Sequence, residues 1–135
     1  MQVPVRRVKV LIVDDEPDTV TVLEKMLDGR GYAVNRAYDG DQALKVAAQF
    51  KPDLVLLDVM MPEQDGWLVC AKLKAVRPAP KIVIFTVLKH GEADRFADFV
   101  HADDILHKPF TREQLLMSVD RALADHAPRP TKHED

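Results

Sequence analysis

The chain has 135 residues, 47% of them hydrophobic and 30% charged, so it can bury one domain-sized core beneath a charged surface. A formal net charge of -3 excludes a broad basic surface for nucleic acid. The apolar runs, about six residues at most, exclude a membrane helix, and a single cysteine, Cys70, excludes an internal disulfide. This composition favours a cytoplasmic protein.

Apolar runs alternate with amphipathic segments along the whole chain, and each change of pattern predicts a new element. In chain order the pattern predicts a strand at 8–13, a helix from Pro17, a strand at 32–37, a helix capped by Asp39 and ending before Pro52, a strand at 54–57, a helix capped by Asp65, a strand at 81–86, an irregular helix over 92–100, a strand at 104–107 and a helix capped by Thr111. Glycines and prolines separate several of these elements.

Strict alternation of strands and helices predicts a parallel sheet covered by helices on both faces. The first, third and fourth strands are apolar throughout, as expected of strands buried on both sides. We therefore expect an α/β fold, a doubly wound, five-stranded parallel sheet with five helices in a three-layer sandwich. In such sheets, ligands bind outside the carboxyl ends of the strands.

Polar side chains follow four of the predicted strands at these carboxyl ends. They are Asp14 and Asp15, Asp58, Thr86, and Lys108 with Pro109. Two carboxylates ~4 Å apart repel by roughly 4 kcal/mol at an effective dielectric near 20, so three in one cleft need a compensating cation. Oxygen ligands favour a hard ion such as Mg²⁺, which suits phosphoryl transfer with a carboxylate as nucleophile.

These residues together resemble the receiver domain of bacterial two-component response regulators, of the chemotaxis-regulator type. The resemblance rests on Asp14-Asp15, on Asp58 followed by Met60-Met61-Pro62 and Asp65-Gly66, on Thr86, and on Lys108-Pro109-Phe110. It implies the flavodoxin-like strand order 2-1-3-4-5. It also implies a receiver domain over residues 8–125, with an N-terminal extension at 1–7 and a flexible tail, or the start of a linker, at 126–135.

The resemblance implies a role for each residue. Asp58 would accept a phosphoryl group from a phosphohistidine, and the protein would catalyse only this transfer and the hydrolysis of its own phosphate. Lys108 would contact the phosphoryl group and Thr86 would move to bond it. The set that would hold Mg²⁺ or Mn²⁺ is Asp14, Asp15, Asp58 and the backbone carbonyl of Met60. The peptide bond before Pro109 would be cis.

The chain departs from the family pattern at the positions that transmit the signal. Ile105 stands where members often carry Tyr or Phe, and Val87 stands where a small residue is usual. A stiff isoleucine without a hydroxyl puts the aromatic switch in doubt. Met60 and Leu88 are apolar at positions that modulate attack by water on the acyl phosphate, which predicts slow self-dephosphorylation.

The implied partners are a histidine kinase or phosphotransfer protein, and a downstream target or attached output domain. The sequence does not decide whether the protein forms a dimer on phosphorylation. No direct nucleic-acid binding and no membrane contact are expected of this domain. The chain is either a stand-alone regulator or a receiver cut from a DNA-binding regulator or hybrid kinase.

Alternative functions differ in what they require after the first strand. An aspartyl phosphatase of the haloacid dehalogenase type has the pattern Asp-x-Asp after this strand. A flavin carrier has a phosphate-binding loop rich in Ser, Thr and Gly there. The sequence Asp14-Asp15-Glu16 matches neither pattern. A receiver-like binding module that is never phosphorylated remains open because of Val87 and Ile105. Taken alone, Asp14 and Asp15 also read as an ordinary helix N-cap pair, and Asp65 as only a cap. By strand alternation His107 shares a face with Ile105, which suits a partner-binding surface.

Overall fold

A computed structural model describes residues 6–61, 65–87 and 100–124 of the chain. Its strands are β1 (Lys9–Val13), β2 (Ala33–Ala37), β3 (Leu54–Asp58), β4 (Lys81–Thr86) and β5 (Asp104–His107). Its helices are α1 (Pro17–Met26), α2 (Gly40–Phe50), α3 (Gly66–Lys74) and α4 (Arg112–Leu123). The strands form one parallel sheet in the order β2-β1-β3-β4-β5, which confirms the predicted order.

The helix count differs from the prediction. Within the described ranges there are four helices and not five. The irregular helix predicted over 92–100 lies outside the described residues, apart from the buried Val100. Among the helices that the structure does describe, none has the length and apolar character to cross a membrane.

Side chains of the central strands alternate between two cores, one on each face of the sheet. Val10 and Ile12 point to the core that α1 and α4 cover. Leu11 and Val13 point to the core that α2 and α3 cover. Successive side chains of a strand face opposite ways, so a strand buried on both faces must be apolar at every position. This explains the continuous apolar runs of β1, β3 and β4.

Side-chain caps fix where three helices begin. The Asp39 carboxylate accepts a hydrogen bond from the backbone N–H of Gln42 at 2.7 Å. Thr111 and Gln114 exchange side-chain-to-backbone bonds in a complete capping box. Asp65 accepts from two backbone N–H groups in the first turn of α3. The three predicted caps are confirmed, and each stabilises its helix start by about 1 kcal/mol.

The register of the sheet brings the predicted polar residues to one edge. Val13 lies opposite Leu57, and Asp58 lies opposite Phe85. Thr86 lies opposite His107, the residue before Lys108. Because all five strands are parallel, their carboxyl ends meet at this edge of the sheet.

Candidate functional site

Three carboxylates form a compact cluster at the carboxyl edge of the sheet. Asp14 follows β1 directly and Asp58 is the last residue of β3; both are buried, whereas Asp15 is exposed. One carboxylate oxygen from each of the three lies within 4.8 Å of the other two. Carboxylates that converge in this way repel one another unless a cation offsets their charge.

Asp14 has one oxygen bonded and one left for a ligand. Its Oδ1 accepts a hydrogen bond from the backbone N–H of Glu16 at 3.0 Å. Its Oδ2 is buried and has no hydrogen-bond partner among the described residues. The N-cap of α1 is Glu16, which makes no side-chain cap, so Asp14 and Asp15 are not the cap pair of this helix. A buried, unpaired carboxylate oxygen beside two further carboxylates fits a divalent cation.

The environment of Asp14 disfavours its charged form. Burial is the main cause, and it raises the pKa of Asp14 from 3.8 to about 6. The negative charges of Asp58 and Asp15 also raise the pKa, while the Glu16 N–H and the Lys108 ammonium lower it. A bound cation would reverse the balance by favouring the carboxylate.

Asp58 is held by contacts to both of its oxygens. The backbone N–H of Met60 donates to Oδ1 at 2.9 Å, and the Lys108 Nζ lies 3.3 Å from Oδ2. Lys108 is anchored in turn because its backbone N–H donates to the Thr86 carbonyl at 2.9 Å. The Lys108–Pro109 peptide bond is cis. The geometry therefore presents one fixed carboxylate beside one ammonium group.

Thr86 and Val87 occupy contrasting positions at the end of β4. Thr86 is fully buried and Val87 is 66% exposed. Met60, which follows Asp58 by two residues, is 48% exposed. Two apolar side chains therefore stand on the surface close in sequence to the buried carboxylate and hydroxyl.

Ile105 and His107 lie together on a surface groove. Both are half-buried, and the groove also contains Lys108, Met117 and Arg121. The alternation rule placed Ile105 and His107 on one face, and the structure places them there. The position that often carries Tyr or Phe in the family is occupied in this groove by the aliphatic side chain of Ile105.

Two contacts beside the site are not predicted by the sequence: the approach of Gly66 to Val59 and the packing of Phe85 on Phe110. Gly66 lies so close to Val59, the residue after β3, that a Cβ built on Gly66 would fall 2.3 Å from the Val59 Cα. The Asp65-Gly66 pair reads as a helix start in the sequence, but the close approach shows only in three dimensions. The rings of Phe85 and Phe110 pack with centroids 5.2 Å apart, which joins the end of β4 to the segment after Pro109.

A doubly wound 2-1-3-4-5 sheet with an acidic cluster and a lysine at its carboxyl edge defines the receiver class of two-component signalling proteins. The chain matches the response regulator receiver domain over residues 10–120, and it belongs to that family.

Solved structures agree with this assignment. A chain from Chloroflexus aurantiacus J-10-fl, assigned as a response regulator, is 31% identical with a TM-score of 0.81, over 88% of this chain and 99% of that one. The chemotaxis response regulator CheY4 of Vibrio cholerae is 30% identical with a TM-score of 0.79, over 87% of this chain and 100% of its own. The response regulator DrrB of Thermotoga maritima is 29% identical with a TM-score of 0.79, and the match covers 90% of this chain but 54% of DrrB.

Proposed function

We propose that Asp58 accepts a phosphoryl group from the phosphohistidine of a histidine kinase or phosphotransfer protein, and that the protein thereby switches a partner-binding surface. The observation that carries the proposal is the contact set of Asp58. Its carboxylate lies 3.3 Å from the Lys108 ammonium and within 4.8 Å of the Asp14 and Asp15 oxygens. A nucleophile, a cation-binding set and a phosphate-binding ammonium thus share one cleft.

In the proposed transfer, one oxygen of Asp58 attacks phosphorus while the bond from phosphorus to the histidine nitrogen breaks. The Met60 N–H fixes the Oδ1 side of the carboxylate, so its orientation is set before the donor arrives. Lys108 offsets the charge that moves onto the phosphoryl oxygens. Asp14, Asp15, Asp58 and the Met60 carbonyl would hold Mg²⁺ or Mn²⁺, which when bound offsets charge on the transferring group.

The phosphoryl group would change the protein through the residues at the ends of β4 and β5. The phosphoryl group would replace the single negative charge of the Asp58 carboxylate with about -1.5 to -2 charges and three acceptor oxygens, and Thr86 and Lys108 are the donors that we assign to them. Moving a two-state equilibrium from 1:99 to 99:1 needs about 5.5 kcal/mol, which a few charge-assisted bonds approach. Val87 and Ile105 would then couple the site to the surface without an aromatic switch residue.

The partners stay proposals of the same kind: a downstream protein, an attached output domain or a second copy of the phosphorylated domain. A cytoplasmic location stays a prediction from the single cysteine. Group transfer confined to its own Asp58 would make the protein a switch rather than an enzyme.

The direct test is phosphorylation by a small donor. Incubation with acetyl phosphate and Mg²⁺ should raise the intact mass by one phosphoryl group, and Asp58→Asn should stay unlabelled. Asp65→Asn is the matched control, since asparagine caps a helix as well as aspartate and Asp65 lies outside the carboxylate cluster. This variant should be labelled like the parent.

Labelling of Asp58→Asn at the parental rate would show that another residue accepts the group. Labelling of neither protein, with donor and Mg²⁺ in excess, would contradict the proposal and favour the binding module that is never phosphorylated. A phosphohistidine donor added as a second reagent should give the same pattern at a lower concentration.

The phosphorylated form should lose its phosphate slowly. Met60 offers no polar atom on its exposed side chain to orient an attacking water, and Val87 adds branched bulk to a groove that it lines together with Lys108. Substituting Met60→Gln places an amide there and should shorten the lifetime several-fold, since positioned polar groups accelerate proton transfer from water. The decay of intact mass after donor removal measures both lifetimes. A parental half-life of a few seconds would contradict this prediction.

A further inference from the structure

A second concave site lies at the opposite edge of the sheet, where the strands begin. The cavity has a volume of about 210 Å³ and sits between the carboxyl-terminal ends of α2 and α3. Four cationic side chains line it: Arg6, Lys9, Lys51 and Arg77. The remaining lining residues are apolar, and they comprise two alanines, a leucine, a valine and three prolines.

Two of the four cations are engaged by groups within the fold. Arg6 pairs with the buried Asp53 at 2.9 Å. Arg77 donates to the carbonyls of Lys74 and Val76 at the end of α3. These contacts fix both guanidinium groups in place, which reduces the side-chain entropy that a ligand would otherwise have to overcome.

Lys9 and Lys51 are the other two cations that line the cavity. Neither Lys9 nor Lys51 forms an ion pair with any residue in the described part of the chain. The Lys9 ammonium lies 5.9 Å from the centre of the Phe50 ring, and Lys51 caps α2 in a left-handed conformation with a φ of 53°. Among the residues that the structure describes, no acidic side chain lines the cavity.

The cationic side chains of the cavity outweigh the negative charges beside them. Asp53 offsets one of the four cations, and the carboxyl-terminal ends of α2 and α3 supply roughly half a negative charge each. Counted over the described part of the chain, the cavity therefore retains about two uncompensated positive charges beside its apolar lining residues. A small anion with an apolar body would satisfy both properties at once, as the lining of small-molecule sites usually does.

We propose that this cavity binds a small organic carboxylate with a compact apolar body. Its volume holds about seven waters at ~30 Å³ each, which is less than the ~300 Å³ at which pockets for drug-sized ligands begin. The carboxylate would lie between Lys9 and Lys51, and the apolar body would contact the Ala47 and Leu73 side of the cavity.

The frame around the cavity is tied together by backbone hydrogen bonds. Asp53 donates its N–H to the Lys9 carbonyl at 2.8 Å, and Lys81 donates to the Asp53 carbonyl at 2.9 Å. The Asp53 Oδ2 accepts from the Lys9 N–H at 2.8 Å. The cavity is thus preformed at the start of three strands. It lies a full strand length from Asp58, about 16 Å at 3.3 Å per residue, so binding should not require phosphorylation.

Benzoate is the probe for the test, and benzamide is its uncharged control. In ¹⁵N-labelled protein, benzoate should cause saturable shifts of the Ala47, Leu73 and Val76 amides with a Kd of about 1 mM or tighter. Benzamide should bind at least ~10-fold more weakly, and 0.5 M salt should weaken benzoate, because exposed cation–anion attraction is screened. The same spectra report whether each variant is folded.

Substitutions separate this site from general attraction to lysines. Lys51→Gln and Lys9→Gln should each raise the benzoate Kd at least ~5-fold, which is about 1 kcal/mol of lost attraction. Lys45→Gln, on the exposed face of α2 and outside the cavity, should leave the Kd unchanged. Absence of saturable shifts, equal binding of benzamide, or equal effects of Lys45→Gln and Lys51→Gln would each overturn the proposal.

Discussion

Replacing Asp14 with asparagine should make the metal-free protein more stable at pH 7. The pKa of Asp14 rises from 3.8 to about 6 on folding, so the folded state disfavours the carboxylate that exists at pH 7. One pKa unit corresponds to ~1.4 kcal/mol, so the gain should be about 2 to 3 kcal/mol. Asparagine keeps an oxygen that can accept the Glu16 N–H, and it removes the charge.

The pH dependence has a defined sign. A group whose folded pKa is raised contributes stability below its unfolded pKa, and this stability is lost as the pH rises through the folded pKa. The metal-free parent should therefore lose stability relative to Asp14→Asn between about pH 4 and pH 6. Urea unfolding of both proteins at several pH values measures the difference. Equal stabilities at pH 7 would contradict the assignment of Asp14 as a destabilising charge.

Mg²⁺ should stabilise the parent more than Asp14→Asn and so narrow the difference in stability between the two proteins. A ligand that binds only the folded state stabilises it by RT ln(1 + [L]/Kd), and Asp14 supplies one of the three clustered carboxylates. Millimolar Mg²⁺ should raise the melting temperature of the parent and leave that of Asp14→Asn nearly unchanged. The melting temperature of each protein in a buffer with EDTA and no added Mg²⁺ is the metal-free reference. Equal stabilisation of both proteins by Mg²⁺ would place the ion elsewhere.

The sheet and much of its site were predictable from the sequence because parallel strands impose strong local patterns. Apart from the first residue of β1 and of β4, which is a lysine, the runs that became β1, β3 and β4 are apolar up to a polar residue at or directly after their carboxyl end. The sequence alone predicts that Asp14, Asp58, Thr86 and Lys108 lie at one edge of the sheet, since parallel strands end together. The caps at Asp39, Asp65 and Thr111 followed from short local spacings.

The remaining features depend on packing between distant segments, which local patterns do not encode. The sequence places Pro78 and Pro80 between α3 and β4, but it does not show that they help to line a cationic cavity with Arg6 and Lys51. Similarly, the doublet Asp14-Asp15 gives no sign that one carboxylate is buried while its neighbour is exposed. The cavity arises where the strands begin and α2 and α3 end, and the burial of Asp14 arises at the opposite edge of the sheet, beside Asp58.

Gly66→Ala should destabilise the fold by about 3 kcal/mol, because overpacking a tight contact forces the backbone to move. A Cβ at this position would lie 2.3 Å from the Val59 Cα and 2.6 Å from the Val59 carbonyl oxygen. Both neighbours are backbone atoms, so no side-chain rotation relieves the clash. Denaturant unfolding against the parent measures the loss.

The same substitution should also slow phosphorylation, since Val59 directly follows the proposed acceptor Asp58. Asp65→Ala is the comparison on the same helix start: it removes a cap without adding an atom against Val59, and should cost about 1 kcal/mol. If Gly66→Ala costs no more than Asp65→Ala and is labelled by acetyl phosphate at the parental rate, the contact with Val59 does not constrain the site. A larger cost with slower labelling would show that the start of α3 holds the Asp58 segment in its reactive position.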